Sequence, residues 1–172
     1  QNALMLAEGK ELDYIIFSSR HAELTRTVSL LKDILRGEDA SPTGFSQSVH
    51  NTAASHFTII SKKPVPITSI GSGANSLGAA LTEAAVYLAL HPRHKVLLVD
   101  FDEPLPEPYD QLLHVSHPGY ALGLLLTSGD TVRVALEPVK REEAAALDLI
   151  VQLLRETGAD GKFLANMTLS SG

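Results

Sequence analysis

The chain has 172 residues, 44% hydrophobic and 20% charged, a composition that predicts one packed domain over residues 1–172 and excludes intrinsic disorder. Its 14 Lys and Arg against 20 Asp and Glu give a formal net charge of −6, so there is no basic field to gather phosphate backbones, and nucleic acid is not an expected partner. Cysteine is absent, which removes disulfides, thiolate metal ligands and thiol nucleophiles together.

No apolar run approaches the ~18 residues that span a bilayer, and Gln1-Asn2-Ala3-Leu4 lacks the basic stretch of a signal peptide. A soluble, cytoplasmic protein without membrane insertion is expected. Leu4 to Glu8 followed by Gly9 has the form of a last helical turn with its glycine stop; with no initiating Met, a shortened N-terminus is expected. Leu12 to Ser18 is a β-branched and aromatic run suited to a strand covered on both faces. Leu24, Val28, Leu31 and Leu35 then recur at helical spacing within 22–36, with Gly37 as the stop. Residues 38–45 read as a loop, after which Ser46 or Ser48 caps a short helix through Asn51, Ala53, Ala54 and Phe57.

Residues 65–70 lean toward strand, but Pro66 lacks the donor that a central ladder uses, which places this strand at an edge or a two-fold axis. Gly71-Ser72-Gly73 turns the chain into a small-residue helix over 75–90, expected to be buried on most sides. Residues 95–101 form the clearest buried strand. Residues 103–109, with three prolines, read as a rigid surface excursion, 120–127 and 131–139 as an antiparallel hairpin, and 142–156 as an amphipathic helix. The order predicts an α/β fold, a mixed five-stranded sheet with helices on both faces.

Strand, glycine-rich turn and helix concentrate the chemistry at 65–80. One reading is dinucleotide binding, with a pyrophosphate at the helix start and Asp100 at a ribose, but Ser76 replaces the third glycine of G-x-G-x-x-G. The other is a nucleophile elbow, which exposes one side chain at a helix N-terminus.

The stretch 46–108 resembles the N-terminal half of β-ketoacyl synthases, the condensing enzymes of fatty-acid and polyketide assembly. Ser48 to Ala54 is similar to the helix preceding the active-site strand, Lys63 to Ser69 to that strand, and Ser72-Gly73-Ala74-Asn75-Ser76-Leu77-Gly78 to the run after the catalytic cysteine. The resemblance sets Ile70 at the nucleophile position, a vestigial one, since a hydrocarbon cannot attack a thioester. The family's two catalytic histidines belong to a C-terminal half that this chain is too short to contain. Leu12 to His21, Ser41-Pro42-Thr43, Ser48 to Asn51 and Val96 to Pro106 further resemble short, chain-length-factor-like members that accompany aryl polyene and related polyketide gene clusters.

The resemblance implies a thiolase-like half-domain that assists biosynthesis by association, with no independent activity and no cofactor. Its partners would be a second copy or a condensing enzyme, with acyl carrier protein as a further candidate, and Val65, Ile67 and Ser69 would lie on the pairing strand. Two alternatives stay open: an acyl-thioester hydrolase or transferase using Ser72 and His50, and a module binding phosphopantetheine or a nucleotide at the Gly71 to Ser76 helix start. Asn51 faces the elbow in the family; a buried, hydrogen-bonded His50-Asn51 pair that positions the turn is favoured. Arg20 and His21 read as solvated or paired with Glu23. The pairs His91/His94 and His114/His117 read as surface histidines, and Asp100, Asp102, Glu103 and Glu107 as a solvated acidic loop, not a metal site.

Overall fold

The computed structural model describes residues 2–112, 119–129 and 164–167. Helix α1 (Asn2–Ala7) leads through Gly9, at φ +65°, to strand β1 (Tyr14–Ser18), whose five residues are all buried. Helices α2 (Leu24–Leu35), α3 (Pro42–Ser46) and α4 (Thr52–Ser61) follow, then β2 (Ile67–Ile70). A 3₁₀ turn (Gly73–Asn75) opens α5 (Ser76–Leu90), which returns the chain to β3 (Lys95–Asp102). Strands β4 (Tyr120–Ser128) and β5 (Leu164–Met167) complete a sheet of order β2-β1-β3-β4-β5. The pairings β1–β2, β1–β3 and β4–β5 are parallel and β3–β4 is antiparallel, so the sheet is mixed as expected, with β2 at its edge, and four of its strands are those the sequence predicts. The fifth strand is Leu164–Met167; the expected hairpin arm 131–139 and helix 142–156 lie outside the described residues.

Alternation along the strands sends side chains to two cores. Ile16, Val96, Leu98, Leu124 and Leu126 meet the Leu77, Leu81 and Leu88 stripe of α5. Small residues of α5 such as Ala80 and Ala84, both wholly buried, let the helix approach the sheet closely. On the opposite face Ile15, Phe17, Leu97 and Val99 meet Ala3 and Ala7 of α1 and Ala54 and Phe57 of α4. Fully buried aliphatic side chains such as Ile15, Ile16, Leu97 and Leu98 each contribute on the order of 2 kcal/mol.

Two expectations about helices change. Part of the expected loop 38–45 is helical: Ser41 caps α3 by accepting from the Gly44 N–H at 3.2 Å, and neither Ser46 nor Ser48 starts α4, whose N-cap is Asn51. In α2 the buried residues are Val28 and Leu30, while Leu31 and Leu35 of the expected stripe are 47% and 86% exposed, because the C-terminal half of the helix overhangs the body. Helix α5 is covered around most of its circumference as expected, except near its C-terminal end, where Val86, Ala89 and Leu90 are exposed.

Candidate functional site

The elbow forms where β2 ends. After Ile70 the chain turns at Gly71-Ser72, and Gly73 takes φ +58°, a conformation that side chains disfavour. A Cβ on Gly71 would lie 2.8 Å from His50 Nε2, so the imidazole packs directly on the turn. The same Nε2 lies 3.2 Å from the Ser19 carbonyl at the end of β1. Buried Ser76, the first residue of α5, completes the brace: its Oγ accepts from the Ser72 N–H at 3.0 Å and is within donating distance of the Gly73 and Ser19 carbonyls, at 2.8 and 3.2 Å. The Asn75 side chain folds over Gly78, where a Cβ would collide with its Oδ1.

Beneath the elbow the sheet carries a row of side chains toward α5. Ile70 packs against the α5 core, and its register partner Ser18 donates to Asp100 Oδ1 at 2.5 Å. Tyr120 donates to Asp100 Oδ2 at 2.7 Å. Asp100 has no exposed surface, and burial raises its pKa above the ordinary carboxylate value, with the Asp102 charge acting the same way; the two hydroxyl donors oppose the rise. Burial and the neighbouring Asp100 charge push the Tyr120 phenol up.

Two residues on, Asp102 is 4% exposed and clamps the β1–α2 turn. Its Oδ1 accepts from Ser19 Oγ at 2.7 Å and from the His21 N–H at 2.8 Å, and its Oδ2 accepts from the Arg20 N–H at 3.0 Å. Ser19 Oγ in turn accepts from the Ala22 N–H at 2.6 Å. Asp102 thereby fixes Ser19, and the Ser19 carbonyl meets both His50 and Ser76. A continuous polar path joins β3 to the elbow.

A strand, a glycine turn and a buried helix surround one hydrocarbon, Ile70. A family model for the β-ketoacyl synthase N-terminal domain matches residues 1–161. The chain belongs to the β-ketoacyl synthase N-terminal domain family. A solved structure described as the ketosynthase ApeO in complex with its chain length factor ApeC, from Xenorhabdus doucetiae, is similar at 34% identity and TM-score 0.65. The match covers 72% of this chain and 52% of that one, so this chain spans about half the length of that relative. No protein of curated function matches. The thiolase-like half-domain implied by the resemblance is the fold observed.

Within this family member the sequence candidates fall into three groups. Ile70, Gly71, Ser72 and His50 come together at the elbow, whereas Asn51 is exposed at the start of α4 with no side-chain cap bond. His50 is exposed, not buried as expected, because the turn covers only one side of its ring. Val65, Ile67 and Ser69 are half-buried along the edge strand and its approach.

Arg20 and His21 answer Asp102 through their backbone N–H groups, while Glu23 pairs with Arg26 at 3.5 Å. Asp100 and Asp102 are not a solvated loop: they continue β3 into the sheet, and only Glu103 and Glu107 are exposed. His91 is exposed and stacks on His94 with centroids 4.8 Å apart; His114 and His117 lie outside the described residues. Among the described residues no group of three or more His, Cys, Asp or Glu is placed to hold a metal ion, and no helix is long and apolar enough to cross a membrane.

Ser18, Ser19, Ser76 and Tyr120 were not singled out as site residues from the sequence. The available signal was Ser18, which ends an apolar strand in register with Asp100, while Asp102 shares a strand face with Asp100.

Proposed function

We propose that this chain is a non-catalytic, condensing-enzyme-like subunit that serves polyketide or aryl polyene assembly by associating with a condensing enzyme. The observation that carries this reading is Ile70 at the strand end before the elbow, in a chain without cysteine. It retains the turn and the buried helix and lacks a group able to form a thioester. The pairing of a ketosynthase with its chain length factor in the similar structure supports a condensing partner.

Backbone direction supports β2 as the contact. The Pro66 and Ile70 carbonyls accept from Ile15 and Ser19 of β1 at 3.0 and 3.2 Å. In a parallel ladder alternate residues turn both N–H and C=O to the same neighbour, so Thr68 also faces β1, and Ile67 and Ser69 turn theirs to the open edge. An unpaired strand edge is a template for another chain. Val65, Ile67 and Ser69 are therefore proposed interface residues, for a condensing enzyme first and a second copy otherwise.

The test is light scattering after size exclusion, with and without a ketosynthase encoded beside this chain. A 1:1 complex, or a homodimer, is expected. Ser69→Pro removes an outward donor while leaving the β1 ladder intact, and should abolish association without unfolding. A monomer that ignores the ketosynthase, or a complex untouched by Ser69→Pro, refutes the assignment. Labelling of Ser72 by a serine-directed fluorophosphonate would instead favour a hydrolase, a reading that must free His50 from the Ser19 carbonyl.

A further inference from the structure

At the end of the sheet away from the elbow, α5 passes into β3 through His91-Pro92-Arg93-His94. Proline is favoured at the second position of a β-turn because its φ is preset. The turn is closed at both ends: the His94 N–H donates to the His91 carbonyl at 3.0 Å, and the His91 N–H to the Tyr87 carbonyl of α5 at 2.9 Å. The first and fourth residues of such a turn are neighbours, so the two imidazoles meet, with centroids 4.8 Å apart and planes at 12°.

Tyr87 decides which nitrogen of His94 is available. Its hydroxyl donates to the Asp13 carbonyl at 3.4 Å and lies 2.9 Å from His94 Nδ1. Burial, and then the Asp13 carboxylate, raise the phenol pKa, so the hydroxyl keeps its proton. With that proton on the Asp13 carbonyl, the phenol oxygen accepts from Nδ1–H, and the Nε2 lone pair of His94 is left for a ligand. A partner on the other ring nitrogen is what orients a histidine toward a metal ion. The His91 ring packs on Tyr87 as well, with centroids 4.7 Å apart. With metal–nitrogen bonds of ~2.1 Å, imidazoles in adjacent positions of one ion keep their centroids about 4.5–5 Å apart, the spacing present here. Only the planes must twist, a χ2 turn that the exposed His91 can make. No third His, Asp or Glu is placed to join them among the described residues, so water completes the coordination. Two imidazoles with water suit a tetragonal ion, and copper(II) binds such donors most strongly of the divalent first-row metals.

We propose that His91 and His94 form a copper(II) site, a two-imidazole clip across the turn from α5 to β3, with Tyr87 as the residue that positions His94. The inference goes beyond the subunit reading and does not depend on it, because the clip lies at the amino end of β3, whereas the elbow follows the carboxyl end of β2, two parallel strands away.

Copper(II) iminodiacetate, whose chelator leaves room for two imidazoles side by side, is the probe. Titrated into the full chain at pH 8, it should bind saturably, and the amide signals it broadens should centre on residues 91–95. Electron paramagnetic resonance should report two imidazole nitrogens on the ion. His91→Gln and His94→Gln should each weaken binding at least about tenfold. Tyr87→Phe keeps the ring that stacks on Tyr14 and removes the hydroxyl, and should also cost about tenfold. Imidazole proton–nitrogen spectra should show His94 protonated at Nδ1 in the parent and in mixed tautomers in Tyr87→Phe, a change that altered packing alone does not produce. Broadening centred elsewhere, a single coordinated imidazole, binding undiminished by either glutamine substitution, or an affinity and tautomer untouched by Tyr87→Phe would overturn the proposal. The broadening map and the nitrogen count come from the unaltered chain, so they decide the matter even if a variant does not fold.

Discussion

At the carboxyl edge of the sheet β3 ends in two buried carboxylates that collect five hydrogen bonds, whereas β2 ends in a hydrocarbon followed by an exposed turn. The first end has the polar density usually associated with chemistry, yet four of its donors come from the adjoining β1 end and the turn that follows it, and none is positioned on an open reaction site. The second has the outline of a reactive elbow with Ser72 and His50 near its apex, and His50 is held against a carbonyl. The difference indicates that the polar groups at the end of β3 serve to hold main chain in place.

The comparison is tested hardest by cutting each end once. Asp102→Ala leaves Ser19 Oγ and two backbone N–H groups without their acceptor in a buried setting, and is expected to cost about 3 kcal/mol or more in urea unfolding. Ser72→Ala removes an exposed hydroxyl and should stay within about 0.5 kcal/mol. Similar losses for the two variants would mean that the elbow is stabilised as strongly as the clamp.

The two ends were also unequally legible. Gly71-Ser72-Gly73 followed by a run of small residues marks a turn into a close-packed helix, because few other sequences tolerate φ +58° or an imidazole against the backbone. Pro66 marked the edge strand by its missing donor, and β3 was visible as an apolar run. Asp100 and Asp102 were not legible, because a carboxylate at a strand end usually reaches water. The partners that make burial tolerable are distant in sequence: Ser18 is 82 positions from Asp100, and Ser19 is 83 from Asp102. Periodicity likewise gives α2 an apolar stripe but not what lies against it, so it cannot tell the exposed Leu31 and Leu35 from the buried Val28. Helix α3, five residues long, is too short to show a period at all.

Asp100 sharpens the comparison through pH. Its pKa in the fold lies above the ordinary 3.8, chiefly from burial, so in the window between 3.8 and the raised value the folded chain binds more protons than the unfolded one. Stability from this group is then greatest at acid pH and declines as pH rises through the window, the reverse of a salt-bridged aspartate. Asp100→Asn keeps a neutral amide that Ser18 and Tyr120 can each meet, since both hydroxyls donate and accept. Urea midpoints of the two proteins compared at several pH values should show the parent's advantage shrinking from pH 4 toward pH 7. An advantage that grows with pH would mean the Asp100 carboxylate is stabilised by its donors more than it is penalised by burial.

The smallest expected effects come from the two positive-φ residues beside these ends. Ala22, in the turn clamped by Asp102, sits at φ +47°, where an L side chain costs roughly 1–2 kcal/mol. Glycine relieves that strain but loses more chain entropy on folding, about 0.5–1 kcal/mol, and gives up a buried methyl. Ala22→Gly should therefore stabilise by about 0.5 kcal/mol at most. Gly73 at the elbow reverses the exchange: a Cβ there meets no atom within 4 Å, so Gly73→Ala carries only the conformational penalty, about 1 kcal/mol of destabilisation. If Ala22→Gly instead destabilises by 1 kcal/mol or more, the turn at the β1 end depends on that methyl more than on its hydrogen bonds, and the contrast between a polar clamp and a bare elbow weakens. If Gly73→Ala is neutral, the elbow relaxes without its glycine and its shape does not depend on that residue's positive φ.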